Sequence, residues 1–375
     1  MTSGDETFVP APHGVSRSAT GRLQRCNLRR VAIEPEGRGA PTLRDVAQVA
    51  GVSFKTVSNV LNDHPQVREA TRARVLAAVE QVGYRPNLAA RNLRLGRSGV
   101  IGLAVPELSQ AFFAQLADEV IRVAAEQDLV VLVEQTGWLR ERELEALRNP
   151  RLSLTDGLLL APLGLTHEDI TPDPAGRPLV VLGEPLFPGP VDHVTMQHEA
   201  AARAATEHLL GLGRRRVMLL GAHAAEETGV AALRYAGYRA AVEAAGLGVD
   251  DALVVPIETW DRSSGAEAMA RVLDAGVRMD AVFAMNDDLA LGALRSLQER
   301  GVAVPADVAL VGFDDVADGR YTYPSLTTVE PGRHDIAREA VRLLRERIDD
   351  RARGELEPRV IAPGFRLVVR ESTSG

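Results

Sequence analysis

Two short apolar-faced segments flank a single glycine between Thr42 and Asn62, and this window restricts the fold more than any other part of the chain. Thr42 with Asp45 three residues on gives a capping-box-like helix start. Leu43, Val46, Ala47 and Ala50 follow at helical spacing and make one apolar face. Gly51 supplies a turn, and Ser53 can cap a second helix whose inward face is Val57, Val60 and Leu61. Such a pair is a helix-turn-helix, whose second helix enters the major groove of DNA. A third helix is expected over 69–82, with Thr71, Val75, Leu76 and Val79 inward and Arg68, Arg72 and Arg74 free for water or phosphate.

The outward face of the second helix carries Phe54, Lys55, Ser58 and Asn59. Lys55 is the only lysine of the chain. A lysine suits guanine O6 and N7, and an asparagine suits adenine N6 and N7, so Lys55 and Asn59 are expected to read bases. Phe54 could touch a thymine methyl. Thr56 and Ser58 have hydroxyls of the right length for phosphate oxygens, and Thr42, Ser53 and Arg68 complete the expected phosphate-contacting set.

Charge divides the chain in the same place. The whole carries a formal net charge of -8, yet 41–97 holds nine Lys/Arg against four Asp/Glu. A basic head on an acidic body is the asymmetry of a DNA-binding module fused to something else. Residues 1–40 mix Pro, Gly, Ser and Arg without an apolar core and are expected to be disordered or an unused upstream start. No run reaches the roughly 18 apolar residues of a membrane span. Cys26 stands alone, so no internal disulfide is expected. These features lead to the expectation of a soluble, cytoplasmic protein.

From about residue 98, short apolar runs alternate with helical stretches. Strands are expected at 100–105, 129–133, 157–161, 179–182, 217–220, 252–255, 281–285 and 308–311, and read as buried on both faces. Helices are expected at 112–126, 200–210, 232–245, 263–275 and 289–299. The alternation implies parallel sheets covered by helices. The units are too many for one sheet, so two similar subdomains are expected, with a ligand in the cleft beyond their strand ends. No cofactor, metal or nucleophile motif is apparent: Gly211-Leu212-Gly213 lacks a third spaced glycine, and His193 and His198 read as surface residues. The chain is therefore not expected to be an enzyme.

The run from Thr42 to Asn62, continuing through Val75–Asn87 and Leu88–Leu93, resembles the LacI/GalR family of bacterial transcription regulators, and the resemblance extends to about Ser372. It implies an N-terminal all-α helix-turn-helix head and an α/β periplasmic-binding-protein-like effector domain of two doubly wound parallel-sheet subdomains. The implied boundaries are 41–85 for the head, 86–97 for a hinge helix and linker, and 98–375 for the body. Its N-subdomain would hold 98–196 and 331–360, its C-subdomain 197–329 and 361–375. In the hinge, Ala90, Arg91 and Leu93 would meet the minor groove, Leu93 as the wedge. Effector contacts carried over from the family fall on Phe112, Phe113, Arg234, Trp260, Asn286, Asp287 and Asp314.

Arg68 departs from a capping serine common in relatives, Gln110-Ala111 from an Asn-Pro, and Gln197 from an aspartate. Arg234, Asn286 and Asp314 with Trp260 favour a neutral sugar over a purine. The expected function is a homodimeric repressor of carbohydrate-utilisation genes, acting on a pseudo-palindromic operator and released by a sugar-like effector. Other readings are a purine- or sugar-phosphate-responsive regulator of the same family, or a transporter's solute-binding protein.

Overall fold

The computed structural model describes residues 41–61, 64, 66–84, 97–148, 154–170, 177–184, 191–223, 229–350 and 357–374. The expected disorder of 1–40 and the hinge residues Ala90, Arg91 and Leu93 lie outside the described residues. The chain forms two compact units, Met1–Pro86 and Asn87–Gly375.

The first unit has helices α1 (Leu43–Ala50), α2 (Phe54–Leu61) and α3 (Glu69–Val82). The capping box is present: Asp45 N–H donates to Thr42 Oγ1 at 3.4 Å, and Thr42 N–H donates to Asp45 Oδ2 at 2.7 Å. Gly51 ends α1 at φ 62°, a left-handed conformation that glycine adopts without a Cβ penalty. Val46, Ala47, Ala50, Val57, Val60, Val75 and Ala78 form the small core. The inward face of α3 is rotated from the expected one: Ala78 is buried, and Leu76 is 49% exposed. Arg68 occupies the N-cap of α3 without a side-chain cap bond, the consequence of a residue that carries donors only.

The second unit contains two six-stranded sheets. The first takes β1 (Val100–Val105), β2 (Val130–Gln135), β3 (Gly157–Leu160), β4 (Leu179–Leu182), β5 (Asp192–Val194) and β11 (Val360–Ile361) in the order β11-β5-β4-β3-β1-β2, all neighbours parallel. The second takes β6 (Val217–Ala222), β7 (Val254–Pro256), β8 (Ala281–Ala284), β9 (Ala309–Phe313), β10 (Thr327–Glu330) and β12 (Arg366–Val368) in the order β12-β10-β9-β8-β6-β7. Only the β10–β12 pair is antiparallel among these described strands. The two orders repeat one doubly wound scheme.

Helices α4 (Ala111–Ala125), α5 (Arg140–Arg148) and α10 (Arg333–Asp349) belong with the first sheet, and α6 (His198–Gly211), α7 (Val230–Ala244), α8 (Arg262–Asp274) and α9 (Asp287–Glu299) with the second. α10 returns the late chain to the first sheet through Ile336, Ala337, Ala340, Val341, Leu343, Leu344 and Ile348. Asp192, fully buried on β5, receives two bonds from Arg347 of α10 at 2.8 and 2.9 Å and one from Arg359 N–H at 2.8 Å. Burial pushes its pKa up, but the bonds from both arginines outweigh this and hold it below the usual carboxylate value.

The two edge strands β2 and β7 depart from the expected burial: β7 begins only at Val254, after a 3-10 turn at Asp251–Leu253, and Val254 and Val255 are half-buried. β2 is an edge strand whose residues alternate, with Val130 61% and Leu132 42% exposed. Its apolar run does not distinguish a central strand from an edge, because pairing on the far side is not encoded locally.

Candidate DNA-reading face and effector cleft

In the first unit, Lys55, Ser58 and Asn59 lie one helical turn apart on α2, so they share a face, and Phe54 flanks it. Val57 and Val60 turn into the core, which leaves Lys55 exposed and Phe54 43% exposed. Ser53 Oγ accepts from Thr56 N–H at 3.1 Å and lies 2.8 Å from Thr56 Oγ1, so Ser53 is the cap of α2. Thr42 Oγ1 donates to Asp45 Oδ2 at 2.7 Å, so its hydroxyl already serves α1. Ser53, Thr42 and Arg68 are all exposed.

In the second unit, a cavity of about 710 Å³ opens between the sheets. Its lining comes from segments following the carboxyl ends of strands in both sheets, where the doubly wound scheme leaves a crevice. Phe112, Phe113, Arg234, Trp260, Asn286 and Asp314 all line it. Phe112 and Phe113 meet edge to face at 5.2 Å, and Phe113 meets Trp138 in the same way at 5.9 Å.

Trp260 is half-buried and fixed by its indole N–H, which donates to the Gly221 carbonyl at 2.9 Å. Gly221 has φ 111°, and a Cβ there would stand 2.6 Å from Leu289 Cδ1 and 3.3 Å from the indole nitrogen. Only glycine lets the strand end pass this closely. Asn286 caps α9, accepting from Leu289 N–H at 2.8 Å and donating to the Trp260 carbonyl at 3.2 Å.

Asp287, expected among the effector contacts, does not line the cavity. It is fully buried, and its carboxylate accepts from Thr328 Oγ1 at 2.6 Å and Val316 N–H at 2.8 Å, tying α9 to β10 and the loop after β9. Burial first, then the neighbouring Asp314 charge, drives its pKa well up. Gly312 makes room for it, since a Cβ there would lie 2.1 Å from Asp287 Oδ1.

Arg234 is 3% exposed on α7. Its guanidinium carbon sits 3.5 Å from the Phe313 ring centre, its Nη1–H donates to the Met285 carbonyl, and its Nη2 lies 3.8 Å from Asp314 Oδ1. Asp314 has φ 114° and Asp315 φ 49°, so the loop after β9 turns through two left-handed residues to bring this carboxylate into the cleft. Burial raises the pKa of Asp314 to about 7, against the opposing pull of Arg234 and Arg333.

Glu184, His198 and Trp138 also line the cavity and are not apparent from sequence. His198, expected at the surface, is 3% exposed, and its Nε2 lies 2.7 Å from Glu184 Oε2. Its Nδ1 accepts from Arg234 Nε–H at 3.2 Å, so the ring proton is on Nε2 and is donated to Glu184. Burial lowers the His198 pKa, which keeps the imidazole neutral. His193 is also buried, its Nε2 2.9 Å from the Gly183 carbonyl. Trp138 has φ 64° and stands just past β2, the position in the first sheet that Trp260 holds past β7 in the second. The available signal was the repeat itself: both tryptophans follow the second strand of their half. No cluster able to hold a metal ion occurs among the described residues.

Comparison with known proteins places both units. Residues 42–87 match the model of bacterial regulatory proteins of the lacI family, and residues 206–373 match a periplasmic binding protein-like domain. The regulator CelR of Thermobifida fusca is 37% identical over 90% of this chain and 99% of its own, and a solved CelR–cellobiose complex is 34% identical over 88% and 99% with a TM-score of 0.64. A solved LacI-family regulator from Sanguibacter keddieii DSM 10542 is 87% identical, covering 75% of this chain and 100% of its own, with a TM-score of 0.70. A lac repressor dimer bound to operator and the anti-inducer ONPF is 28% identical over 89% and 99%, with a TM-score of 0.71. The chain belongs to the LacI family of bacterial transcription regulators.

Proposed function

We propose that this regulator is a cytoplasmic homodimer that represses carbohydrate-utilisation genes from a pseudo-palindromic operator and leaves it when a sugar fills the cleft. The observation that supports this best is the lining of the cavity. An aromatic platform, Trp260, stands beside a fork-shaped donor, Arg234, and an acceptor, Asp314, the three groups a sugar ring needs for its face and its hydroxyls. The CelR–cellobiose complex shows a sugar bound to a protein of this fold. Lys55 and Asn59 read bases, and Phe54 packs against a thymine methyl. Thr56, Ser58 and Arg68, with Thr42 and Ser53 through their capped helix ends, meet phosphates. Ala90, Arg91 and Leu93 enter the minor groove. The sugar controls DNA affinity only as far as it binds one lobe arrangement better than the other.

The test is operator capture in the presence of sugars. The full-length protein should bind a palindromic site with affinity that falls steeply with salt, and a sugar should release it. The Arg234→Ala protein should bind the same site but require far more sugar for release. An unchanged sugar titration of that variant would remove Arg234 from the effector site, and no salt-sensitive operator binding at all would sink the reading.

A further inference from the structure

Glu184 follows β4 and is 3% exposed, yet it lines the cleft. One carboxylate oxygen, Oε2, takes the His198 Nε2 proton at 2.7 Å. The other, Oε1, is buried and has no hydrogen-bond partner among the described residues. A buried carboxylate oxygen left without a donor costs free energy, and a donor entering the cleft removes that cost. His198 cannot turn a second proton toward Oε1, because its other nitrogen accepts from Arg234.

The surrounding charge narrows the donor. Glu184, Glu258 and Asp314 line the cleft, and Arg234 is the only arginine or lysine among the described lining residues. Arg234 already faces Asp314 at 3.8 Å and bonds the Met285 carbonyl and His198. An incoming anion would meet more negative than positive charge. The charge therefore opposes an anion. A hydroxyl donates to Oε1 without that conflict.

Resting on the effector-cleft reading above, we propose that Glu184 is a specificity-determining contact: its Oε1 accepts a hydroxyl proton from a neutral, polyhydroxylated effector, and it excludes anionic sugars. The experiment is thermal-shift titration of the full-length protein with D-glucose, D-ribose, cellobiose, D-glucosamine, glucose 6-phosphate and gluconate. At least one of the three neutral sugars should raise the Tm, and the two anions should not.

The Glu184→Gln protein keeps the shape and an acceptor for His198 but turns an amide N–H toward the cleft. It should bind the active neutral sugar at least tenfold more weakly. Its Tm without sugar and its far-UV circular dichroism report whether it folds. Glu184→Asp, which withdraws the oxygen by one methylene, is the second variant and should show the same weakening. Equal binding by either folded variant overturns the role of Glu184 and leaves the sugar reading standing. A shift by glucose 6-phosphate, gluconate or glucosamine and none by the neutral sugars overturns the neutral-effector inference. No shift by any of the six sinks the sugar reading and this inference with it.

Discussion

Single side chains divide the work sharply. Lys55 is exposed on the face it shares with Asn59, and no core contact explains it. Lys55→Ala should therefore lose discrimination at one base pair, at a cost of about 1–3 kcal/mol. Binding to a panel of single-base operator variants measures this, and a uniform loss across the panel would show that Lys55 meets phosphate instead. Asp314 is a different kind of residue, a buried carboxylate whose pKa is raised from 3.8 to about 7. A raised carboxyl favours folding in its protonated form. Its contribution is whole below the unfolded pKa and is lost as pH rises through about 7. The shift corresponds to an effect on the order of 4 kcal/mol. Melting temperature should thus fall between pH 5 and pH 8 more steeply for the native protein than for Asp314→Asn. Parallel curves would show that Asp314 does not titrate there. The family resemblance puts both Asp314 and Asp287 among the effector contacts, but only the fold shows that Asp287 is consumed in holding α9 to β10 and lies outside the cavity lining.

At the scale of elements, α8 and α9 approach through paired glycines. A Cβ on Gly292 would lie 2.0 Å from the Arg262 carbonyl, and one on Gly265 would lie 2.5 Å from the Leu289 carbonyl. Because backbone faces backbone, neither side can yield by a rotamer change. Gly292→Ala should cost about 1–3 kcal/mol, seen as a lower midpoint in urea. Gly211, at the end of α6 with nothing near its Cβ position, is the contrasting case: Gly211→Ala should be neutral or stabilise by up to about 1 kcal/mol. Most elements were legible as periodic apolar runs, and α3 and β1 fall where they were expected. α5 and α10 were not identified because their charged residues mask the apolar stripe, although Ile336, Ala340, Val341 and Leu344 in α10 keep helical spacing. The short β5 and β11 have too few residues for periodicity to register and exist because neighbouring strands supply their partners.

At the scale of the molecule, the two halves of the second unit repeat one strand order and set a tryptophan past equivalent strands, so both tryptophans of the chain line one cleft. Any sugar that raises the melting temperature should therefore also change tryptophan emission excited at about 295 nm. A ligand that stabilises the protein without altering that emission binds elsewhere.

Local order along the chain was enough to define the head. Its caps, glycine turn and apolar spacing act within a few residues, so the sequence by itself determined a helix-turn-helix carrying Lys55 and Asn59, followed by repeated strand-helix units. The composition of the cleft was decided by tertiary structure alone. Glu184, His198 and Arg234 are separated along the chain and acquire their bonds, protonation and burial only when two sheets close around them. Proton position and solvation depend on distances in space, and a linear order of residues does not contain those distances.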